Sequence, residues 1–188
     1  MIPYQSLPTD VMTQGHFAFE SGHHGDLWLD LDSLFTDAKR IKEWVTQLAT
    51  EITLLPDVIC GPLVGGAFVA QLLAIELSCE FAYAERWVEN GNPKYRVPPS
   101  LRHHLQGKRV LVADDAINAG SALLGTLEDL TACGAELVGI ASIIASGENA
   151  LHIANRLHVS FYTLFSVSRS LWTPETCPLC HQGNPLSR

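Results

Sequence analysis

The chain has 188 residues and a mass of 20.5 kDa, a length that buries a substantial apolar core within one α/β domain and does not demand two. With 47% hydrophobic and 17% charged residues it is too apolar to stay disordered, and a formal net charge of −8 argues against a nucleic acid as main partner, because a phosphate backbone selects a basic face. No apolar run reaches the ~20 residues of a membrane span, and the opening Met1-Ile2-Pro3-Tyr4-Gln5 lacks the basic and apolar regions of a secretion signal, so a soluble, cytoplasmic protein without a membrane partner is expected.

Residues 1–35 mix Gly22 and Gly25 with aromatic side chains and show no sustained period. From there to about residue 170, β-rich runs alternate with segments of helical periodicity, which is the signature of βαβ units around a parallel sheet flanked by helices. Five strands are predicted, at 57–60, 79–84, 109–114, 137–145 and 159–165, with helices at 37–53, 65–77, 120–133 and 148–157. In the first helix Ile41, Val45, Leu48 and Ile52 recur at three- and four-residue spacing and define one apolar face for the sheet. Val110-Leu111-Val112 and Val138-Gly139-Ile140-Ala141 are nearly continuous apolar runs, as expected of strands covered on both faces.

Between residues 87 and 104, Gly91, Pro93, Pro98 and Pro99 break any period, and this stretch reads as a long loop of the kind that is usually functional. Six of the 12 Lys and Arg residues (Arg86, Lys94, Arg96, Arg102, Lys108 and Arg109) fall in or beside it. That cluster suits a small polyanion; a solvated charged loop is the competing reading. After residue 170, Pro174, Pro178 and Pro185 mark an irregular tail. The two chain ends together are expected to form a small hood of the single domain, from about 1–35 and 171–188, over a core at about 36–170.

Chemistry concentrates where the third predicted strand ends. In an open parallel sheet, ligands bind beyond the carboxyl ends of strands, where loops meet helix amino termini. The apolar run there ends in Asp114 and Asp115, a short loop carries Gly120, and helical periodicity resumes at Leu123, Leu124 and Leu127. Backbone N–H groups of such a loop, with the positive end of the helix dipole, suit a phosphate monoester. The acid pair could accept hydrogen bonds from ribose hydroxyls or contact hydrated Mg²⁺, or simply cap the next helix.

Val110-Leu111-Val112-Ala113-Asp114-Asp115-Ala116-Ile117-Asn118-Ala119-Gly120-Ser121 resembles the motif with which type I phosphoribosyltransferases bind 5-phosphoribosyl-1-pyrophosphate (PRPP). The resemblance implies that Asp114 and Asp115 hold the ribose hydroxyls. It also implies that Ala116, Ile117 and the stretch Asn118, Ala119, Gly120, Ser121 and Ala122 surround the 5′-phosphate. Asn118 and Ala119 stand where the family usually has two threonines, which removes two hydroxyl donors but leaves the backbone donors and Ser121. One βα unit upstream, Cys60-Gly61-Pro62-Leu63-Val64-Gly65-Gly66 resembles the family's pyrophosphate loop, in which small residues let backbone amides approach the diphosphate. Leu63, Val64, Gly65 and Gly66 are therefore also PRPP-binding candidates.

Within that family the closest likeness is to orotate phosphoribosyltransferases. Their mobile basic loop between the second and third strands, often supplied by the other subunit of a homodimer, is matched in position and charge by residues 84–104. The family's Lys-x-His-Gly signature is absent here; Arg86 and Lys94 are the candidates for contacting the leaving diphosphate. Phe17, Phe19, Ser21 and Gly22 resemble a Phe-x-x-x-Ser-Gly segment that helps form the base pocket, with core packing of the aromatics as the alternative. Ser146 is the remaining base-site candidate, in Ile143-Ile144-Ala145-Ser146-Gly147, where orotate enzymes commonly carry an Asp-Arg pair. The missing arginine would cost a carboxylated base a charge-assisted bond of about 1.5–3 kcal/mol.

The activity implied is Mg²⁺-assisted transfer of the 5-phosphoribosyl group from PRPP to a nucleobase, orotate first, in pyrimidine biosynthesis. Two alternatives stay open: a PRPP-binding regulatory protein without transfer, and a transferase for a purine or other base. A Rossmann dehydrogenase or serine hydrolase is disfavoured, because neither Gly-x-Gly-x-x-Gly nor Gly-x-Ser-x-Gly occurs. Cys177 and Cys180, with His181 and either His23 or His24, could make a structural zinc site; a reduced turn is the alternative reading. The other three cysteines, Cys60, Cys79 and Cys133, are expected as reduced thiols.

Overall fold

The apolar runs pair side by side and the amphipathic segments cover them. The computed structural model describes residues 7–8, 10–19, 22–89, 92–168 and 170–187. Ser21 and the opening five residues, on which the base-pocket and leader expectations fell, lie outside the described residues.

Strands β1 (Met12–Ala18) and β2 (His24–Leu29) open the chain, followed by the short helix α1 (Leu31–Leu34) and by α2 (Ala38–Glu51). The Asp37 carboxylate caps α2 by accepting from the backbone N–H groups of Lys39 and Arg40. The core then runs β3 (Val58–Pro62), α3 (Gly65–Leu77), β4 (Glu80–Glu89), β5 (Asn92–Arg96), α4 (Pro99–Leu105), β6 (Arg109–Ile117), α5 (Ser121–Ala132), β7 (Glu136–Ser146), α6 (Asn149–Leu157) and β8 (Ser160–Val167). The tail adds β9 (Leu171–Trp172), a 3-10 turn (Pro174–Thr176) and α7 (Pro178–His181).

Six strands form one sheet in the order β5-β4-β3-β6-β7-β8. All neighbours are parallel except the edge pair β4 and β5. Alternation within β6 assigns its side chains to two cores. Leu111 and Ala113 pack with Ile41, Val45 and Leu48 of α2 and Val69 and Leu73 of α3. Val110 and Val112 pack with Leu123, Leu127 and Leu130 of α5 and Ile153 of α6. Burial on both faces explains why the strand reads as an unbroken apolar run, and truncating fully buried Leu111 to alanine would cost about 2–5 kcal/mol.

Among the described residues, the expected long loop at 87–104 is instead strand and helix. β4 continues to Glu89, turns back into β5 with Trp87 opposite Lys94 and Arg86 opposite Tyr95, and the chain enters α4 at Pro99. Pro93 lies on the edge strand, where a missing N–H is tolerated, and Pro99 occupies the first turn of α4, where no donor is needed. The prolines that suggested irregular chain are the residues that a hairpin edge and a helix start accept.

The two chain ends do meet. β1, β2 and β9 form a separate antiparallel three-stranded sheet, and Leu27 of β2 joins the core on the α2 and α3 side. Among the described residues, no helix is long and apolar enough to cross a membrane.

Candidate active site

β3 and β6 are adjacent and parallel, so the loops that follow them emerge at the same sheet edge. This brings Asp114 and Asp115, at the end of β6, against Gly65 and Gly66 at the start of α3. A Cβ on Gly65 would collide with the Asp115 carboxylate, and one on Gly66 with the Asp114 carboxylate and the Pro62 ring. A side chain at either glycine would occupy space that the acids now hold. The Leu63–Val64 peptide is cis, and the Leu63 N–H donates to the Ala84 carbonyl, tying this loop to β4.

Asp114 is buried, and Asp115 lies beside it. Their carboxylates accept from the next backbone N–H groups, Asp115 N to Asp114 Oδ1 at 3.1 Å and Ala116 N to Asp115 Oδ1 at 2.9 Å. Among the described residues no lysine or arginine forms a salt bridge with either. Burial pushes Asp114 well above the usual carboxylate range, with the Asp115 charge adding to it. Burial also raises Asp115, opposed by its hydrogen bond to Asp114. Two acids held this way lack cationic compensation, which a ligand rich in hydroxyls or a hard cation would supply.

Helix starts flank the pair. α3 begins at Gly65 and α5 at Ser121, and neither amino terminus has a side-chain cap. Their first-turn N–H groups and the positive dipole ends are thus available to anions. The loop before α5 surrounds a cavity of about 200 Å³ lined by Asp114, Ala116, Ile117, Asn118, Ala119, Gly120, Ser121 and Ala122. Gly120 turns the chain with φ +82°, where a Cβ would also strike Ile153. The loop is pinned from behind, since the Asn149 side chain donates to the Asn118 carbonyl at 3.2 Å.

A profile of the phosphoribosyl transferase domain matches residues 32–169. The chain belongs to the phosphoribosyl transferase family. It is 27% identical over 178 residues to an orotate phosphoribosyltransferase of Caldanaerobacter subterraneus subsp. tengcongensis, covering 94% of this chain and 89% of that one. It is 28% identical over 185 residues to the enzyme of the same description from Thermotoga maritima, covering 96% and 92%. Among solved structures, orotate phosphoribosyltransferase from Aeropyrum pernix superimposes with a TM-score of 0.69 at 22% identity, over 84% of this chain and 89% of that one. Adenine phosphoribosyltransferase from Thermoanaerobacter pseudethanolicus gives 0.63 at 16% identity, over 75% and 88%. The fold is that of the type I transferases: a central, mostly parallel sheet with helices on both faces and a hood from the chain ends.

The two basic candidates, Lys94 and Arg86, lie on the β4–β5 hairpin. Lys94, on β5, lines a cleft of about 410 Å³ between the β4–β5 hairpin and α5, whose wall includes Ser121 at the start of α5 and Gly125. Arg86 is exposed on β4, outside that lining. Other cations of the basic segment are engaged: Arg96 stacks over Trp87 at 5.0 Å, and Arg102 donates to Asp129 at 2.6 Å. Asp129 also accepts from the Val97 N–H at 2.8 Å, so it fastens the base of the hairpin to α5. Nothing in the local pattern marked Asp129 or Asn149, because each acts across 27–32 residues of sequence.

In the hood, Phe17 is buried, and Phe17 and Phe19 lie 5.8 and 6.0 Å from the Trp28 ring. Gly22 turns with φ +77°. Ser146, at the end of β7, is 5% exposed, and its Oγ has no hydrogen-bond partner among the described residues. The tail departs from expectation. His181 faces away from the cysteine pair, its Nε2 2.9 Å from the Glu175 carbonyl oxygen, while His16 and His24 of the hood strands approach Cys177 and Cys180. The Glu175 carbonyl engages the His181 ring, whereas pairing of β1, β2 and β9 brings the strand histidines to the cysteines.

Proposed function

We propose that the chain transfers the 5-phosphoribosyl group of PRPP to a nucleobase, releasing pyrophosphate, with orotate as the base. The observation that carries this reading is the acid pair set between two uncapped helix amino termini. The spacing suits a sugar whose hydroxyls meet Asp114 and Asp115 while its two phosphate ends meet separate helix starts. The α5 loop from Asn118 to Ala122 would take the 5′-phosphate, and Leu63 to Gly66 the diphosphate. Acids without a cationic partner fit a magnesium ion as hard oxygen donors; bound with PRPP, Mg²⁺ would supply charge neutralisation for the departing diphosphate.

The protein's own groups position and polarise. Asp114 and Asp115 hold the ribose and stabilise the positive charge that grows on it as the C1–diphosphate bond breaks. Amide groups of both loops fix the phosphate ends, turning attack by the base nitrogen at C1 into a reaction between positioned partners. Lys94, on the hairpin beside the phosphate loop, and Arg86 on the adjoining strand would meet the diphosphate. Phe17, Phe19, Ser21, Gly22 and Ser146 would form the base side, the buried unpaired Ser146 hydroxyl offering a hydrogen bond to the ring. No covalent enzyme intermediate is needed.

Support for orotate comes from relatives of that description that match nearly the whole chain. One feature favours a second reading, a different base or PRPP binding without transfer: β7 ends in Ser146 with no arginine for a base carboxylate. Incubation with PRPP, Mg²⁺ and a panel of bases, reading pyrophosphate release, separates these cases. Release with orotate supports the main reading, release only with a purine redirects it, and tight PRPP binding with no release on any base points to a regulator. Asp114→Asn with Asp115→Asn should abolish release while the fold persists; unchanged turnover in that double variant would overturn the site.

A reducing compartment, the cytoplasm, suits five cysteines with no disulfide among them. A homodimer suits the apolar stripe that α3 leaves open, where Val64, Phe68 and Ile75 are 63%, 47% and 68% exposed. Light scattering on the purified chain tests that state, with twice the 20.5 kDa chain mass expected.

A further inference from the structure

Two histidines and two cysteines from distant parts of the chain point their ligating atoms at one spot. His16 lies on β1, His24 on β2, and Cys177 and Cys180 on the tail around α7. His16 Nε2 is 3.0 Å from His24 Nδ1, 3.4 Å from Cys177 Sγ and 3.6 Å from Cys180 Sγ, and His24 Nδ1 is 3.2 Å from Cys180 Sγ. All four atoms lie within 4.8 Å of one another.

Hydrogen bonding alone accounts poorly for this convergence. His16 Nδ1 is 2.8 Å from the Asn184 carbonyl oxygen, so it carries the proton and donates there. That leaves Nε2 as a bare lone pair facing three donors or acceptors at once, in a side chain only 4% exposed. One lone pair can accept one good bond, whereas a central cation satisfies all four atoms. The dimensions agree: Zn–N near ~2.05 Å and Zn–S near ~2.3 Å in a tetrahedron place the donor atoms roughly 3.3–3.8 Å apart, close to the separations found. A ligating imidazole whose other nitrogen donates to a backbone carbonyl is also the usual outer-shell arrangement of protein zinc.

The fold explains how the ligands meet. Ala18 pairs with His24 across the strands, so His16, two residues earlier on β1, is the diagonal neighbour of His24. The β1–β2 ladder is irregular between Gln14 and Phe17, a stretch that contains His16, and such an irregularity re-aims side chains. β9 then pairs with β2 at His24 and Gly25, carrying the following cysteines to the same place. Cys177 is fully buried.

We propose that His16, His24, Cys177 and Cys180 bind one zinc(II) ion as a closed structural site that locks the tail onto the hood. Two thiolates and two imidazoles in a tetrahedral set select zinc over the harder magnesium. His181 takes no part. The site stands apart from the acid pair and does not depend on the transferase reading.

The test is metal analysis of the full chain, purified without chelator, and of variants. Wild type should carry one zinc per chain, and cobalt(II) exchanged into it should show the visible bands and the thiolate charge-transfer absorption of a tetrahedral sulfur site. Cys180→Ser and His16→Ala should lose the metal, whereas His181→Ala and Asp114→Asn should retain it. If Cys180→Ser fails to fold, the wild-type cobalt spectrum decides by itself. Wild-type protein that takes up neither zinc nor tetrahedral cobalt overturns the proposal, as does full metal content in His16→Ala.

Discussion

Asp114, proposed to bind the substrate ribose, shows how a buried carboxyl can oppose the stability of its own fold. Its carboxyl is raised by burial first and by the Asp115 charge second, so the folded chain holds a proton that the unfolded chain releases near pH ~3.9. Stability of the ligand-free protein therefore falls as pH rises from that unfolded value through the folded one, and above the folded value the penalty is complete. Asp114→Asn removes the charge but keeps an oxygen for the Asp115 N–H. Its melting temperature should exceed that of wild type at neutral pH, with the gap closing as pH falls toward ~4. Thermal melts of both proteins across that range check the sign, and a variant less stable than wild type at neutral pH would contradict it. Gly65 makes the complementary case, because a methyl there must displace the Asp115 carboxylate. Gly65→Ala should leave the melt nearly unchanged and reduce kcat/KM for PRPP by about 100-fold, as misplacement of a positioned group by an ångström does.

The β4–β5 hairpin and α4 are the elements whose placement rests most on a single side chain. Asp129 of α5 receives both the Val97 N–H and the Arg102 guanidinium, and Val97 is fully buried. Asp129→Ala leaves that buried N–H unpaired, at a cost of about 1–3 kcal/mol. Chemical denaturation should show the loss, and hydrogen exchange should show it concentrated in β5 and α4; uniform exchange across the sheet would mean that Asp129 has only a general role. This is also where sequence and structure diverge. Strands such as β6 are legible because burial on two faces makes them apolar throughout, and α3 because its apolar residues run on into a left-handed end at Ser78. The hairpin is polar on both sides, with Glu85, Arg86, Glu89 and Lys94 exposed, and its order comes from Asp129 and from the Arg96–Trp87 stack, which no local period records. The candidate site divides in the same way. The acid pair and Gly65-Gly66 each carry a local motif, but their mutual contact is a product of β3 lying beside β6, and His16 entered the histidine–cysteine cluster only through strand pairing.

At the level of the whole molecule, the chain is closed on itself at the hood. The Ser187 N–H donates to the His16 carbonyl at 2.6 Å and the His16 N–H to Ser187 Oγ at 3.3 Å, joining residues 171 positions apart. β9 contributes only two residue pairs to β2. The central strands are held otherwise, β6 being paired on both edges and buried on both faces. Without the proposed zinc, contacts so few and so distant in sequence recover little of the entropy of closing a long loop, so in metal-free protein the hood should be the region that opens first while the sheet stays intact. Native-state hydrogen exchange on chelator-treated protein should therefore show amides of β1, β2 and β9 exchanging through local opening, well before those of β6 and β7, which should wait for global unfolding. Ending the chain after Ser170 removes β9 and the whole tail. It should speed exchange in β1 and β2 markedly and leave β6 and β7 protected whenever the remaining chain folds. Equal slowing or equal speeding of both regions would show instead that hood and core unfold as one cooperative unit.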